Sequence, residues 1–315
     1  MDKDTEQIIF LEPVMKEVLW GGARLRDDFG YKIPSDHTGE CWAVSAHDHG
    51  DCTVTSLRYK GHTLSELWKN HRELFGNMEE ERFPLLVKII DAKKDLSIQV
   101  HPDDVYAKAN ENGSFGKTEC WYILDCDADA SIVIGHNAKD KQEVKEMILE
   151  GRWSEFLRTI PIKKGDFFQI NPGTVHAIKG GTLILEIQQN SDITYRVYDY
   201  DRLTDGKPRE LHIEKSIDVI NAPFDTKSTS TRHGLVKDDA FDYETLVSCS
   251  YYTVEKQDIH GSVVLKQDKN FKIYDVVEGE GTIDGIIIKK GTHFIIPYGY
   301  DTYCLEGNMS LLCSY

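Results

Sequence analysis

The chain has 315 residues, 40% of them apolar and 29% charged, which suits one large or two ordinary globular domains and excludes a disordered polymer. With 53 Asp and Glu against 37 Lys and Arg the formal charge is −16, which argues against a nucleic-acid partner and leaves any anionic substrate dependent on a local Arg/Lys cluster. No apolar run approaches the ~20 residues that span a bilayer. An acidic start without a signal core, and seven Cys without a C-x-x-C pair, point to a reducing cytoplasm.

Most of the chain reads as short strands punctuated by Gly, Pro and Asp turns, so the fold is expected to be mainly β. In "TLSELWKNHRELFG" (63–76), Leu64, Leu67, Trp68 and Leu74 recur at helical spacing behind a capping Thr63. "LSIQVHPDD" (96–104) begins as a strand in which Leu96, Ile98 and Val100 face one way and Ser97, Gln99 and His101 the other. Pro102 ends it, and Asp103–Asp104 open a short helix through Ala109. In "GKTECWYIL" (116–124) Glu119 alternates with Trp121 and Ile123, where a carboxylate is costly unless paired or metal-bound. Further helical turns are predicted over 140–160, broken near Gly151. "LILEIQQNSDITYRVYDYDRL" (183–203) packs Glu186, Gln188, Asp192, Arg196 and Arg202 into apolar strand sequence, which suits a polar pocket lining, or an exposed sheet face with cross-strand pairs. The polar, aperiodic stretch 222–245 reads as a linker.

A weak repeat joins "KKGDFFQINPGTVH" (163–176) to "KKGTHFIIPYGYDT" (289–302): a Lys-x-Gly turn, an apolar strand, then a Pro/Gly turn into the next strand. The second copy has the spacing of the second cupin motif but carries Thr302 where that motif has His, whereas the first keeps His176. Two such units suggest two cupin-type jelly-roll barrels with a small helical insertion. Residues 1–225 would form the metal-bearing domain and 245–315 a barrel without a metal site.

If the barrel brings them together, His101, His176, Glu119 and the amide of Gln99 suit Zn2+ or another first-row divalent ion. Two His and one carboxylate are equally the triad of non-haem iron oxygenases, and spacing does not separate the two. Lys117 shares the side of Glu119, and with Arg196 and Arg202 it would supply the cationic patch a phosphate needs.

"FPLLVKIIDAKKDLSIQVHPDD", "GKTECWYIL", "PGTVHAI" and "LEIQQNSDITYRVYDYDR", with "LWGG" (19–22) and "TGECWAVS" (38–45), together resemble the type I mannose-6-phosphate isomerases, in particular their short bacterial branch. The similarity runs in order through roughly residues 10–220. It implies zinc held by Gln99, His101, Glu119 and His176, with Arg196 and Lys117 catalytic. It also implies substrate contacts from Trp20, Glu186, Asp192 and Arg202, and a phosphorylated hexose as substrate. The chain is expected to act as a monomer or homodimer. The proton-transferring base is left open among Lys117, Asp192 and Glu186, and Gln99 has the alternative role of orienting a metal-bound water. A non-catalytic sugar-binding cupin is the remaining reading of such a chain.

Overall fold

The computed structural model describes residues 7–204, 206–226 and 233–315. Three antiparallel sheets carry the architecture. A six-stranded sheet runs in the order Phe167–Ile170, Glu119–Cys126, Thr182–Gln189, Leu85–Ala92, Val14–Gly22, Thr38–Val44. A five-stranded sheet runs Leu157–Pro161, Ser131–His136, His176–Ile178, Ile98–Val100, Tyr195–Tyr198. The third sheet has ten strands and gathers nearly all of the C-terminal part.

Strand alternation explains how these layers stack. In Glu119–Cys126, side chains Cys120, Tyr122 and Leu124 join Leu183, Leu185 and Ile187 of the neighbouring strand in a core shared with Leu246, Val254, Phe271, Ile273 and Leu312 of the ten-stranded sheet. The opposite face sends Trp121, Ile123 and Ile184 towards Ile132, Ile134 and Ile178 of the five-stranded sheet. With both faces covered, Leu85–Ala92 is buried at every position, so it is apolar without alternation except at Lys88 and Asp91. The outer face of the five-stranded sheet (Ile98, Val100, Val133, Ala177, Val197) is covered by Val144, Met147, Ile148 and Phe156. The helix Lys141–Leu149 and the turn Trp153–Phe156 supply these four side chains.

The helical expectations largely hold. Thr63 and Glu66 form a reciprocal capping box at the start of Leu64–Asn70. A 3₁₀ turn Arg72–Phe75 follows and stops at Gly76, which is left-handed. Asp103 caps the helix Asp104–Asn110 by accepting from Tyr106 N. The region 140–160 differs in its last part. After the break at Gly151 (φ +67°), Leu157–Pro161 is a strand on the edge of the five-stranded sheet, because pairing with Ser131–His136 outweighs local helical preference.

The repeat is structural. Phe167–Ile170 leading to His176–Ile178 is matched by His293–Pro297 leading to Thr302–Ser314, and Gly165 and Gly291 open the two copies at φ +86° and +87°. Part of the expected linker is strand, since His233–Val236 and Phe241–Ser248 pair with each other; residues 227–232 lie outside the described residues. The ten-stranded sheet also takes Ile9–Glu12 from the N-terminal end, with Ile9 opposite Ile295, and Thr53–Val54 beyond it. Among the described residues no helix is long and apolar enough to cross a membrane.

Candidate active site and metal centre

The two barrel sheets face each other, and each contributes part of one polar cluster. In the five-stranded sheet, His176 stands opposite Gln99 and Gln99 opposite Arg196, so three neighbouring strands present these residues in one row. His101 follows directly, and its carbonyl accepts the Gly173 amide at 2.9 Å, which ties it to the turn leading into His176. Glu119 enters from the six-stranded sheet.

Each imidazole has its tautomer set by the backbone. His101 Nδ1 donates to the Ile193 carbonyl at 2.7 Å and His176 Nδ1 to the Thr174 carbonyl at 2.9 Å, which leaves both Nε2 lone pairs turned to Glu119. His176 Nε2 lies 3.2 Å from Glu119 Oε1, and His101 Nε2 lies 3.5 Å from Oε2. All three side chains are buried, and one ligand atom from each falls within 4.8 Å of the others. Burial lowers both imidazoles, His176 to about 4, so they are neutral ligands at neutral pH. Glu119 Oε1 and His176 Nε2 are buried without a hydrogen-bond partner among the described residues. Two orphaned lone pairs aimed at one point, on a His–Glu–His donor set, fit a divalent cation.

A buried charge network adjoins these groups. Lys117 Nζ donates to Glu119 Oε2 at 2.5 Å and stands 3.2 Å from His101 Nε2. Burial opposes its charge, but Glu119 and Glu186 outweigh that and keep the amine protonated. Glu186 accepts from Trp121 Nε1 at 3.0 Å and faces Lys88 Nζ at 3.6 Å. Lys88 in turn lies 3.9 Å from Glu40 Oε2, which accepts the Trp42 indole at 2.6 Å. These residues share one row of the six-stranded sheet: Trp121, Glu186, Lys88 and Trp42 are in cross-strand register. Lys88 and Glu40 were not singled out from the sequence. The signal for Lys88 was present in "LLVKIIDA", a lysine inside an apolar run, for the same reason that marked Glu119.

The remaining expected residues, the catalytic candidate Arg196 and the substrate contacts Arg202, Trp20 and Asp192, do not all join this network. Arg196 keeps a buried Nε without a partner among the described residues, while its Nη1 donates to the Glu210 carbonyl at 2.8 Å. Arg202 is not joined to the cluster, since it donates to Asp199 and to the Asp95 carbonyl. Trp20 packs in the apolar core with Ile90, Ala92 and Ile123. Asp192 meets His49 Nδ1 at 2.5 Å and faces His47 Nε2 at 3.6 Å. His47 Nδ1 accepts the His49 amide, so in the neutral ring Nε2 carries the proton, and this second His/Asp group reads as a hydrogen-bonded rim rather than a ligand set. Asp192 does lead directly into Ile193, whose carbonyl orients His101.

Comparison with known proteins follows the same lines. Residues 8–124 match the model of the phosphomannose isomerase type I catalytic domain, and residues 242–315 match that of the mannose-6-phosphate isomerase cupin domain. The chain is 52% identical over 316 residues to mannose-6-phosphate isomerase ManA of Bacillus subtilis, covering 99% of each chain. It is 45% identical to mannose-6-phosphate isomerase of Streptococcus mutans, covering 98% of each. The crystal structure of mannose 6-phosphate isomerase from Bacillus subtilis superposes with a TM-score of 0.95 at 48% identity, covering 98% of this chain and 99% of that one. A mainly β chain of cupin type that matches both family models and full-length relatives at this identity belongs to the type I phosphomannose isomerases.

Proposed function

We propose that the chain interconverts mannose 6-phosphate and fructose 6-phosphate as a metal-dependent aldose–ketose isomerase, by way of an enediol(ate). The observation that carries this reading is the buried His101–Glu119–His176 group, with Lys117 in contact with two of its members. Gln99 is the fourth donor, since the register aligns it with His176. The donor set suits Zn2+, which supplies Lewis-acid polarisation of the sugar oxygens when bound.

The reaction moves a proton between C1 and C2 of the open-chain sugar while the carbonyl passes from one carbon to the other. Lys117 is placed to stabilise oxygen charge as the enediolate develops, and a buried ammonium acts there with little reorganisation. Glu186, held by Trp121 and Lys88, is a carboxylate positioned to receive and return the proton. Arg196 shares a row with Gln99, and its fixed charge and fork of donors suit either the enediolate or the phosphate. Burial between two sheets keeps bulk water from Lys117 and Glu186, whereas Arg196 is half-buried.

A coupled assay for fructose 6-phosphate formation, run with metal analysis before and after chelation, tests this. The expected result is turnover that vanishes on chelation and returns with added Zn2+. Turnover that survives complete removal of metal would overturn the metal-dependent mechanism.

A further inference from the structure

The segment leading into Glu119 has three consecutive backbone amides, and each has its own partner. Gly116 N donates to Asp104 Oδ1 at 2.7 Å, Lys117 N to the Pro102 carbonyl at 3.0 Å, and Thr118 N to Gln189 Oε1 at 2.8 Å. The two side-chain acceptors are joined to each other, because Gln189 Nε2 donates to Asp104 Oδ1 at 3.0 Å. The approach is close enough that a Cβ on Gly116 would stand 2.5 Å from the Asp104 amide nitrogen. Lys117 and Glu119 therefore project from a backbone held at every step.

The other oxygen of the same carboxylate, Asp104 Oδ2, accepts the Tyr251 hydroxyl at 2.8 Å. Tyr251 belongs to the C-terminal part, on the turn between Phe241–Ser248 and Thr253–Ile259. Burial and then the Asp104 charge raise this phenol to about 12, so it remains a donor through the neutral range. Asp104, Gln189 and Tyr251 stand together in the wall of a cavity of about 460 Å3 between the two parts of the molecule, with Phe115, Lys269 and Tyr315.

We infer that Tyr251, acting through Asp104 and Gln189, is a positioning residue by which the C-terminal part sets where Lys117 and Glu119 stand. The inference rests on the proposed roles of Lys117 and Glu119. Tyr251 contacts neither of them. It completes the third hydrogen bond on a carboxylate whose other two partners hold the 116–118 backbone. Loss of that bond frees Asp104 to turn, so the lysine and the ligand lose orientation while the groups on other strands keep theirs. That separates an effect on turnover from an effect on substrate binding.

Tyr251→Phe removes one oxygen from a ring that is 40% exposed, so the fold does not depend on it. In the metal-loaded enzyme this variant is expected to lower kcat roughly three- to tenfold with KM changed less than about twofold, the scale of one lost hydrogen bond. Metal release to a competing chelator should be faster by a similar factor, and the thermal midpoint should stay within ~2 °C. Combining it with Asp104→Asn should be no worse than Asp104→Asn alone, because both break one link. Lys269→Ala, which alters the same cavity wall without touching Asp104, should leave kcat and metal release unchanged. Wild-type kcat and wild-type metal release in Tyr251→Phe would overturn the inference, as would a fall in stability with neither quantity changed. Full additivity with Asp104→Asn would do the same. The wild-type chain assayed alongside keeps the two readings apart: an inactive wild type counts against the isomerase, and the metal-release comparison still decides the link.

Discussion

Glu119 shows what one misplaced-looking residue can disclose. A carboxylate in an apolar strand has to be compensated; one ammonium, Lys117, does so directly, while the two neutral imidazoles turn lone pairs towards it and leave the rest to a cation. His176→Gln should therefore abolish stoichiometric metal binding, measured by elemental analysis, and lower turnover by at least ~100-fold. Lys88→Met should act differently. It strips the Glu186 carboxylate of a buried cation, and the expected loss is on the order of 3 kcal/mol of stability, read from urea denaturation, in addition to any loss of activity. Metal content unchanged from wild type would confirm that Lys88 serves Glu186 rather than the ligands. At this scale the sequence disclosed Glu119 because its cost is visible locally, whereas His101 and His176 stood out only together with it and through the family motifs. It did not disclose Glu40, whose cation Lys88 meets it from a neighbouring strand, although its other partner Trp42 lies two residues on in the same strand.

Elements meet where small residues allow it. A Cβ on Gly21 would lie 2.4 Å from the Gly39 amide, and a Cβ on Gly39 would lie 2.5 Å from Trp20 Cζ3, so "LWGG" and "TGECW" are two strands in contact through their glycines. Gly39→Ala should lower stability by roughly 2–4 kcal/mol in thermal or urea unfolding, and a variant as stable as wild type would show that the strands can part at no cost. Trp20 is then a packing residue of this contact, an assignment the motif alone did not suggest. A second joint is Asp199, which accepts both Arg209 nitrogens at 2.7 and 2.6 Å and also Arg202. Burial pushes this carboxyl up, but Arg209 and Arg202 outweigh it and hold the group below its ordinary 3.8. A depressed folded value means that the stabilisation is present above the unfolded value and is lost as pH falls through the folded one. Asp199→Asn should thus destabilise by on the order of 2–4 kcal/mol at neutral pH and by clearly less once the pH has fallen through the folded value. An equal loss at both would assign the effect to packing. The helices with caps were readable from sequence, because Thr63 and Asp103 act within one turn. The strand Leu157–Pro161 was not, because its state is decided by a partner more than twenty residues away.

The molecule as a whole is held by the core between the six- and ten-stranded sheets, and this makes the two halves interdependent. A chain ended before Phe241 would expose Leu85, Val87, Ile89, Leu183 and Leu185 together, a face far more apolar than a free surface tolerates. Such a fragment is expected to be insoluble or to bind a hydrophobic dye, and a soluble, cooperatively unfolding fragment would refute that expectation. The repeat made two cupin-type units readable. It did not reveal that their division is not a simple cut in the chain, because Ile9–Glu12 carries too few residues to announce its partner. That pairing has a consequence for how the protein is made. At synthesis rates of about 5–20 residues per second, Ile9 leaves the ribosome roughly tens of seconds before Ile295 exists. Ile9 and Phe10 must therefore wait, apolar and without their sheet partners, long after Leu11 and Glu12 have Thr53–Val54 to pair with, and the ten-stranded sheet can close only once His293–Pro297 has been made.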